Sequence, residues 1–272
     1  MTWPPQRIIC LSEETAETLY LLGEDARIVG VCGYASRPAR IRDEKPRVGA
    51  FTAEDMSSIM VQRPDLVLTS FDIQADISAL LIRAGVAVHS FNQHDVQGIF
   101  DMTACVGAMV GRPDRAAALI DGWREKIEAM RANPPARRPR VWFEEWDEPL
   151  IAGLGWVMEL IEIAGGIDIV SHLRHVRSTR ERIVTAAEIA AARPELILAS
   201  WSGKRVRPER IAARPGWNLL PAVRHNLVKE IKAPLLLAPG PAALTDGLDL
   251  IRTAVLEAEA TAQQDGAARV SA

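Results

Sequence analysis

The chain has 272 residues, of which 48% are hydrophobic and 25% are charged, and its formal net charge is -3. This composition is ordinary for a globular protein. The small negative charge excludes a global basic field that would recruit nucleic acid. The sequence also lacks a run of about 18 apolar residues that could span a membrane. We therefore expect neither a nucleic-acid partner nor insertion into a membrane.

Apolar runs rich in Ile, Val and Leu predict buried parallel strands in the first half of the chain. The predicted strands are Arg7–Leu11, Ile28–Val31, Leu66–Thr69 and Val86–Phe91. Helical patterns lie between and after them, at Thr15–Leu22, Ala53–Val61, Ile73–Arg83 and Val96–Val110. Strands that alternate with helices at this spacing indicate βαβ units and hence a parallel sheet.

The segment Pro113–Ala132 predicts one long helix between the two halves of the chain. Pro113 suits a first helical turn, and one face of the helix is apolar. The apolar residues of that face are Ala117, Ile120, Trp123, Ile127 and Met130. At about 1.5 Å per residue, such a helix spans the width of a small domain.

The second half of the chain repeats the alternation of strands and helices. Its predicted strands are Arg140–Glu144, Leu196–Ala199 and Leu235–Ala238. Its predicted helices are Trp156–Ala164, Ala186–Ala192, Val206–Ala212, Pro221–Arg224 and Leu244–Glu259. Two phrases also echo one another, VQRPDLVL at 61–68 and AARPELIL at 191–198. In each phrase a proline ends a helix and an acid precedes an apolar strand, which indicates two lobes of related build.

These elements predict an α/β fold with two Rossmann-like lobes, each built on a parallel sheet, joined by one long helix. The predicted domains are an amino-terminal lobe at residues 1–112, a linking helix at 113–135 and a carboxyl-terminal lobe at 136–272. Three cysteines, Cys10, Cys32 and Cys105, form no CxxC pair, which argues against a disulfide framework. Residues 1–6 lead into the first strand without the pattern of a signal peptide. Both observations predict a cytoplasmic location, with a periplasmic one as the alternative if a signal peptide has been removed.

Four phrases, in their order and spacing, resemble the class III, or helical-hinge, family of substrate-binding proteins of the cobalamin- and ferric-siderophore-binding type. They are RIICLS at 7–12, LLG at 21–23 with IVGV at 28–31, RPDLVL at 63–68 and ELIEIAGG at 159–166. The resemblance covers about residues 7–259. Members of this family bind a bulky chelate between their two lobes, in a site that the rigid linking helix keeps largely pre-formed.

The resemblance implies a binding protein whose ligand is a bulky metal chelate, with cobalamin or another corrinoid expected as ligand and no separate cofactor. An ABC transporter permease is the implied protein partner. One alternative is the ferric-siderophore-binding component of an ABC importer. Another is a chelatase-like enzyme acting on a tetrapyrrole, with Glu144, Glu145 and His172 or His175 as its functional groups. Because no nucleophile stands out and the sequence contains no GxSxG, P-loop or HExxH motif, we expect that the chain is not an enzyme.

Ligands of open α/β sheets lie beyond the carboxyl ends of the strands. Aromatic residues make up only 5% of the chain, yet five of them fall in the predicted strand-end loops, where rigid rings would wall a flat ligand. Trp156 opens a helix just after two glycines that allow close approach to the backbone. The predicted ligand contacts are Ser12, Tyr34, Phe51, Phe71, Trp146, Trp156, Trp201 and Gly240. No catalytic residue and no metal ligand is predicted.

Two polar patterns leave alternatives open. Four acids fall within residues 144–148, and they would hold a cation, accept hydrogen bonds from ligand amides, act as an acid/base pair, or form a solvated loop. His172 and His175 lie three residues apart, which suits a metal pair on a helix, a ligand contact or an exposed position.

Overall fold

Two sheets and the helices around them make up the computed structural model, which describes residues 3–49 and 56–270. The strands are β1 (Ile8–Cys10), β2 (Ile28–Val31), β3 (Leu66–Ser70), β4 (Ala87–Phe91), β5 (Arg140–Asp147), β6 (Leu150–Ala152), β7 (Ile167–Asp168), β8 (Leu196–Ala199) and β9 (Val228–Glu230). The helices are α1 (Glu13–Leu22), α2 (Ile41–Glu44), α3 (Met56–Val61), α4 (Ala75–Arg83), α5 (Val96–Met109), α6 (Pro113–Ala132), α7 (Gly155–Ile163), α8 (Ala186–Ala192), α9 (Pro208–Ala212), α10 (Pro221–Arg224) and α11 (Leu248–Val270).

The first sheet has the strand order β2-β1-β3-β4, and all of its pairs are parallel. Side chains of β1 alternate between two apolar clusters, because Ile8 and Cys10 enter one cluster and Ile9 enters the other. A strand whose two faces are both covered must be apolar throughout. This explains why β1 has the continuous apolar sequence that predicted it.

The second sheet has the order β6-β5-β8-β9, with β7 beside the beginning of β5. Strands β7, β8 and β9 join this sheet through parallel pairs, so the predicted parallel sheet is confirmed. Strand β6 is antiparallel to β5 and pairs Leu150 with Asp147. This hairpin was not predicted from the sequence. It adds an antiparallel edge strand to a parallel sheet, a common arrangement in α/β folds.

The predicted strand Leu235–Ala238 is wrong. Residues Ala233–Leu235 form a single turn of 3-10 helix, and the last strand is β9, which pairs Val228 with Ile197. Pro234 and Pro239 flank the apolar run and lack the N–H groups that a sheet ladder requires. Leu236 is buried outside a sheet, so this apolar run has the composition of a strand without the pairing.

The chain divides into two compact units, which we call the first and the second lobe. The first lobe comprises Met1–Gln93, Gln97–Gly122 and Ala238–Pro241, and the second comprises His94–Val96, Trp123–Leu237 and Ala242–Ala272. Helix α6 has the predicted bounds, and the chain passes from the first lobe to the second between Gly122 and Trp123. The fold is therefore α/β with one sheet in each lobe, as predicted. The predicted domain limits stay a prediction.

The sequence echo is also a structural repeat, and its first copy lies where α3 leads into β3. Arg63 adopts the left-handed region with φ of 50°, which ends the helix in the manner of a C′ residue. The carboxylate of Asp65 then accepts hydrogen bonds from the backbone N–H groups of Gln6 (2.8 Å) and Arg7 (2.9 Å). The Arg7 side chain donates in turn to the carbonyl of Arg63, at 3.0 Å.

The second copy of this helix–strand joint lies where α8 leads into β8. Arg193 has φ of 49°, and Glu195 accepts a hydrogen bond from the backbone N–H of Arg140 at 3.0 Å. The Arg140 side chain donates to the carbonyl of Arg193, at 3.2 Å. In each lobe, therefore, one acid and one arginine fasten a helix end to the beginning of the central strand.

Candidate functional site

In the first lobe, Gln74 brings the carboxyl ends of β1 and β3 together. Its side chain is buried, donates to the carbonyl of Leu11 at 2.7 Å, and accepts from the backbone N–H of Ser70 at 2.7 Å. Ser12, a predicted contact, follows directly and is itself buried. Its hydroxyl lies 2.9 Å from the hydroxyl of Thr15 in the first turn of α1. Polar groups of two strand ends and one helix thus lie at one edge of the sheet.

Glutamates of α1 add carboxyl groups to this edge. Glu14 is only 4% exposed, and its Oε1 has no hydrogen-bond partner among the described residues. Burial raises the pKa of Glu14, although hydrogen bonds, including those with Ser12 and Ser70, oppose the shift. Burial, with the charges of Glu14 and Glu17, raises the pKa of Glu13 to about 7. Near neutral pH the carboxyl of Glu13 is therefore partly protonated, so it can donate as well as accept a hydrogen bond.

Aromatic rings lie at the same edge of the first lobe. Phe71 follows β3 with φ of 58° and ψ of 172°, a region that residues other than glycine rarely occupy and that costs about 1–3 kcal/mol. Its backbone N–H donates to the carbonyl of Phe91 at 2.9 Å. Tyr34 follows β2 and is 58% exposed. Strained residues concentrate at functional sites, which supports the choice of Phe71 as a ligand contact.

In the second lobe, Trp146 and Trp201 are brought together at the carboxyl ends of β5 and β8. The ammonium group of Lys204 lies 3.9 Å from the ring centroid of Trp146 and 5.0 Å from that of Trp201. It also forms an ion pair with Asp147. Trp146 is partly exposed and donates its indole N–H to the carbonyl of Glu148 at 3.0 Å. Two indoles and one carboxylate thus hold a single cation.

A buried ion pair fixes the orientation of Trp201. Glu144 is fully buried and receives two hydrogen bonds from the guanidinium of Arg214, at 2.6 and 2.9 Å. The indole N–H groups of Trp142 and Trp201 donate to the same carboxylate at 3.2 and 3.1 Å. Four donors satisfy this buried charge. Glu144 is therefore a structural group.

The acidic cluster predicted at 144–148 is mostly paired within its own lobe. Glu145 forms an ion pair with the buried side chain of Arg182, and burial raises the pKa of Glu145 while this arginine opposes the shift. Glu144 and Asp147 have the arginine and lysine partners described above. Within residues 3–49 and 56–270, no group of three or more His, Cys, Asp or Glu side chains could hold a metal ion. His172 and His175 are both exposed.

The remaining predicted contacts have different surroundings. Trp156 is 1% exposed and donates its indole N–H to the carbonyl of Leu236 at 2.9 Å, so it packs in the core of the second lobe. Gly240 belongs to the first lobe, where a Cβ atom in its place would overlap the Cβ of Glu14. Glycine is therefore required there by close packing against α1. Phe51 lies outside the described residues.

Sequence reasoning missed two residues of these edges, Gln74 and Lys204. Gln74 was counted only as part of a predicted helix, and its role depends on backbone atoms of Leu11, 63 positions away. Lys204 did have a signal, because it begins the basic segment KRVRPER at 204–210, close to Trp201. A basic segment beside a strand-end tryptophan could have been chosen as a candidate on that ground.

A family model described as "periplasmic binding protein" matches residues 8–235. The cobalamin-binding protein of Halobacterium salinarum is 24% identical over 207 residues, which are 74% of this chain and 56% of that protein. The chain thus spans little more than half the length of this relative. An uncharacterized ABC transporter substrate-binding lipoprotein of Bacillus subtilis, YvrC, is 22% identical over 255 residues, 90% of this chain and 78% of that protein.

Among solved structures, the periplasmic heme-binding protein RhuT from Roseiflexus sp. RS-1, in apo form, superposes with a TM-score of 0.81. Its sequence is 21% identical, and the match covers 93% of this chain and 99% of that one. This likeness supports the two-lobed α/β fold. The proteins found by these comparisons are binding proteins, which agrees with the prediction that the chain is not an enzyme.

The predicted cytoplasmic location is wrong. The matching family and the Roseiflexus protein are described as periplasmic, and the Bacillus relative as a lipoprotein. Unpaired cysteines did not require a reducing compartment, because Cys10 and Cys32 are buried and burial raises the pKa of each thiol to about 12. Thiols in that state are protonated and unreactive. In the described ranges, no helix has the length and apolarity to cross a membrane.

Proposed function

The chain belongs to the periplasmic binding protein family, and on this premise we propose that it binds a bulky metal chelate, with cobalamin or another corrinoid as the ligand. The observation that carries the proposal is the set of aromatic side chains at the carboxyl ends of both sheets. In the first lobe these are Tyr34 and the strained Phe71, and in the second it is the partly exposed Trp146. Trp201 is only 3% exposed and bonded to Glu144, so it supports this edge from the core of the lobe. Rigid rings provide broad apolar contact at little cost in conformational entropy.

The carboxyl groups of the first lobe favour a corrinoid among such chelates. Glu13 and Glu14 lie in the first turn of α1, at the edge where ligands of α/β sheets bind, whereas Glu17 is paired with Arg37. Corrinoids carry many amide side chains, whose N–H groups would donate to these carboxyls. The ionised fraction of the same groups would repel the carboxylates of heme or of an acidic siderophore. The name of the Halobacterium relative supports this choice.

Heme is the second candidate ligand, because the Roseiflexus protein with the same fold is named as a heme binder. We also propose that the chain delivers its ligand to an ABC transporter permease, which the name of the Bacillus relative supports. A permease reconstituted in vesicles should hydrolyse ATP faster when the ligand-loaded chain is added. No change in ATP hydrolysis with any candidate permease would contradict this part of the proposal.

The test of ligand identity is a tryptophan fluorescence titration with cyanocobalamin, hemin and a ferric siderophore. We expect saturable quenching by cyanocobalamin, beyond the absorption measured with free tryptophan at the same concentration. If hemin binds more tightly than cyanocobalamin, the ligand is heme and not a corrinoid. A lack of saturable quenching by all three compounds would contradict the proposal.

Substitution of Trp146 tests the position of the site. Trp146→Ala removes a partly exposed indole from the edge of the sheet where the strands end. Loss of such an anchor should make the free energy of ligand binding less favourable by about 2 kcal/mol or more. Trp3→Ala is the matched control, because Trp3 is also exposed but precedes β1. The control should bind as the unmodified chain does. Equal affinities of both variants for cyanocobalamin would show that the ligand does not contact Trp146.

A further inference from the structure

The segment that follows β8 carries more positive charge than its surroundings balance. Residues 204–210 contain four cations, Lys204, Arg205, Arg207 and Arg210, and one acid, Glu209. Asp147 faces two of these cations, since Lys204 forms an ion pair with it and Arg210 approaches it at 3.8 Å. The four cations, together with the two acids Glu209 and Asp147, leave a net charge of +2.

Neighbouring acids do not remove this surplus. Glu230 lies close to Arg205 and accepts a hydrogen bond from the backbone N–H of Val206 at 3.2 Å. The same carboxylate is paired with Lys232 at 2.9 Å, so this acid and this lysine balance one another. The segment is therefore a basic edge of the second lobe, at the carboxyl end of the sheet.

Lys204 is the cation that the structure positions best. Its ammonium is held against the faces of Trp146 and Trp201, while the side chain remains partly exposed. The side chain of Asp147 is itself only 5% exposed, so the carboxylate fixes the ammonium from the inner side. A cation that is already ordered loses less conformational entropy when it binds an anion, and neighbouring apolar rings strengthen the attraction.

We propose that Lys204 and Arg210 form a subsite for a phosphate group of the ligand. The inference rests on the proposed function and makes it more specific, because cobalamin carries a phosphate diester in its nucleotide loop and cobinamide does not. Two cations that share one buried carboxylate leave one positive charge for that phosphate. The ligand class is then a corrinoid with a complete nucleotide loop, whose ring contacts the partly exposed Trp146 beside the subsite.

Calorimetric titration with cyanocobalamin and with dicyanocobinamide tests this subsite. We expect the unmodified chain to bind cyanocobalamin about tenfold more tightly, as one charge-assisted contact predicts. Lys204→Gln should abolish that preference by weakening cyanocobalamin alone, and Arg210→Gln should reduce it. Lys204→Arg keeps the charge and should preserve it. Arg224→Gln is the matched control, since Arg224 is an exposed arginine at the end of α10, near the residues that precede β8.

Two outcomes contradict the phosphate subsite, and a third contradicts the proposed function. If the unmodified chain binds both corrinoids equally, the phosphate subsite is wrong while the proposed function stands. If Lys204→Gln weakens both corrinoids to the same extent, Lys204 only orients the tryptophans and the subsite is again wrong. If the chain binds neither corrinoid, the proposed function itself fails.

Discussion

Arg63 in the first lobe and Arg193 in the second both have left-handed backbone conformations. Each is followed by a proline and then by an acid whose carboxylate accepts a hydrogen bond from the backbone at the beginning of a strand. At the opposite ends of the strands the lobes differ. The first has glutamates with raised pKa values, and one oxygen of Glu14 has no hydrogen-bond partner among the described residues. In the second lobe, Asp147 and Glu144 form ion pairs with a lysine and an arginine, next to the indole rings of two tryptophans. The fold requires the joint in both lobes, whereas ligand recognition is free to differ.

The largest expected effect distinguishes the buried Arg214–Glu144 ion pair of the second lobe from the half-exposed Arg112–Glu24 pair of the first. Arg214→Ala leaves the buried Glu144 without its cation, so the free energy of unfolding should fall by about 3–5 kcal/mol. In the first lobe, Arg112→Ala should cost about 1 kcal/mol or less. Arg112 is 55% exposed, and its partner Glu24 keeps a second arginine, Arg27, at 2.5 Å. Urea denaturation measures both values.

A double substitution sharpens this comparison. Glu144→Gln combined with Arg214→Met removes both charges, and it should recover part of the stability lost by Arg214→Ala alone, because no uncompensated charge remains buried. A loss below about 1 kcal/mol for Arg214→Ala would contradict the structural role given to Glu144.

The next effect concerns pH. Burial raises the pKa of Asp168 to about 7, and its Oδ2 has no partner among the described residues. The folded state keeps this proton at pH values where the unfolded state has lost it, so stability falls as pH rises from about 4 to about 7. Asp168→Asn cannot lose a proton, and its Oδ1 can still accept from the N–H of Val170, a bond of 2.8 Å.

Unfolding free energies at about pH 5 and about pH 8 check this prediction. For Asp168→Asn the difference between these two unfolding free energies should be smaller than for the unmodified chain, by about 1 kcal/mol or more. Glu13→Gln tests the first lobe in the same way, because the pKa of Glu13 is also raised to about 7. An unchanged pH dependence in both variants would show that neither group titrates as described.

The smallest expected effect concerns the helix–strand joint that both lobes share. Arg63→Gly and Arg193→Gly relieve a left-handed conformation that costs most residues about 1–2 kcal/mol, partly offset by the greater entropy of glycine in the unfolded chain. Each substitution should raise the free energy of unfolding by up to about 1 kcal/mol, and by a similar amount in the two lobes. A gain in one lobe with a loss in the other would contradict the structural repeat.

Much of the fold was predictable because its central strands are covered on both faces. Strands β2 and β8 and helices α6, α8 and α10 have the bounds that the sequence predicts. The edge strand β2 is equally apolar and was also predicted, whereas the polar edge strand β9 was not. Strand β9 contains Lys229 and Glu230, which resemble a loop, whereas the apolar run after Ala233 resembles a strand and is a turn between prolines.

The candidate site was predictable only as a set of loops. The strand-end rule selected Phe71, Trp146 and Trp201, but sequence alone could not show which of their neighbours are paired. Arg214 neutralises Glu144 from 70 positions away, and the burial of Trp156 depends on the carbonyl of Leu236. Such pairings depend on tertiary packing, which local sequence patterns do not encode.

Equilibrium dialysis of the unmodified chain against cyanocobalamin tests the central claim most directly. We predict saturable binding of one corrinoid per chain, with a dissociation constant in the micromolar range or below, as expected for a largely pre-formed site. Equal concentrations of cyanocobalamin on both sides of the membrane at every loading would contradict the claim that this chain is a corrinoid-binding protein.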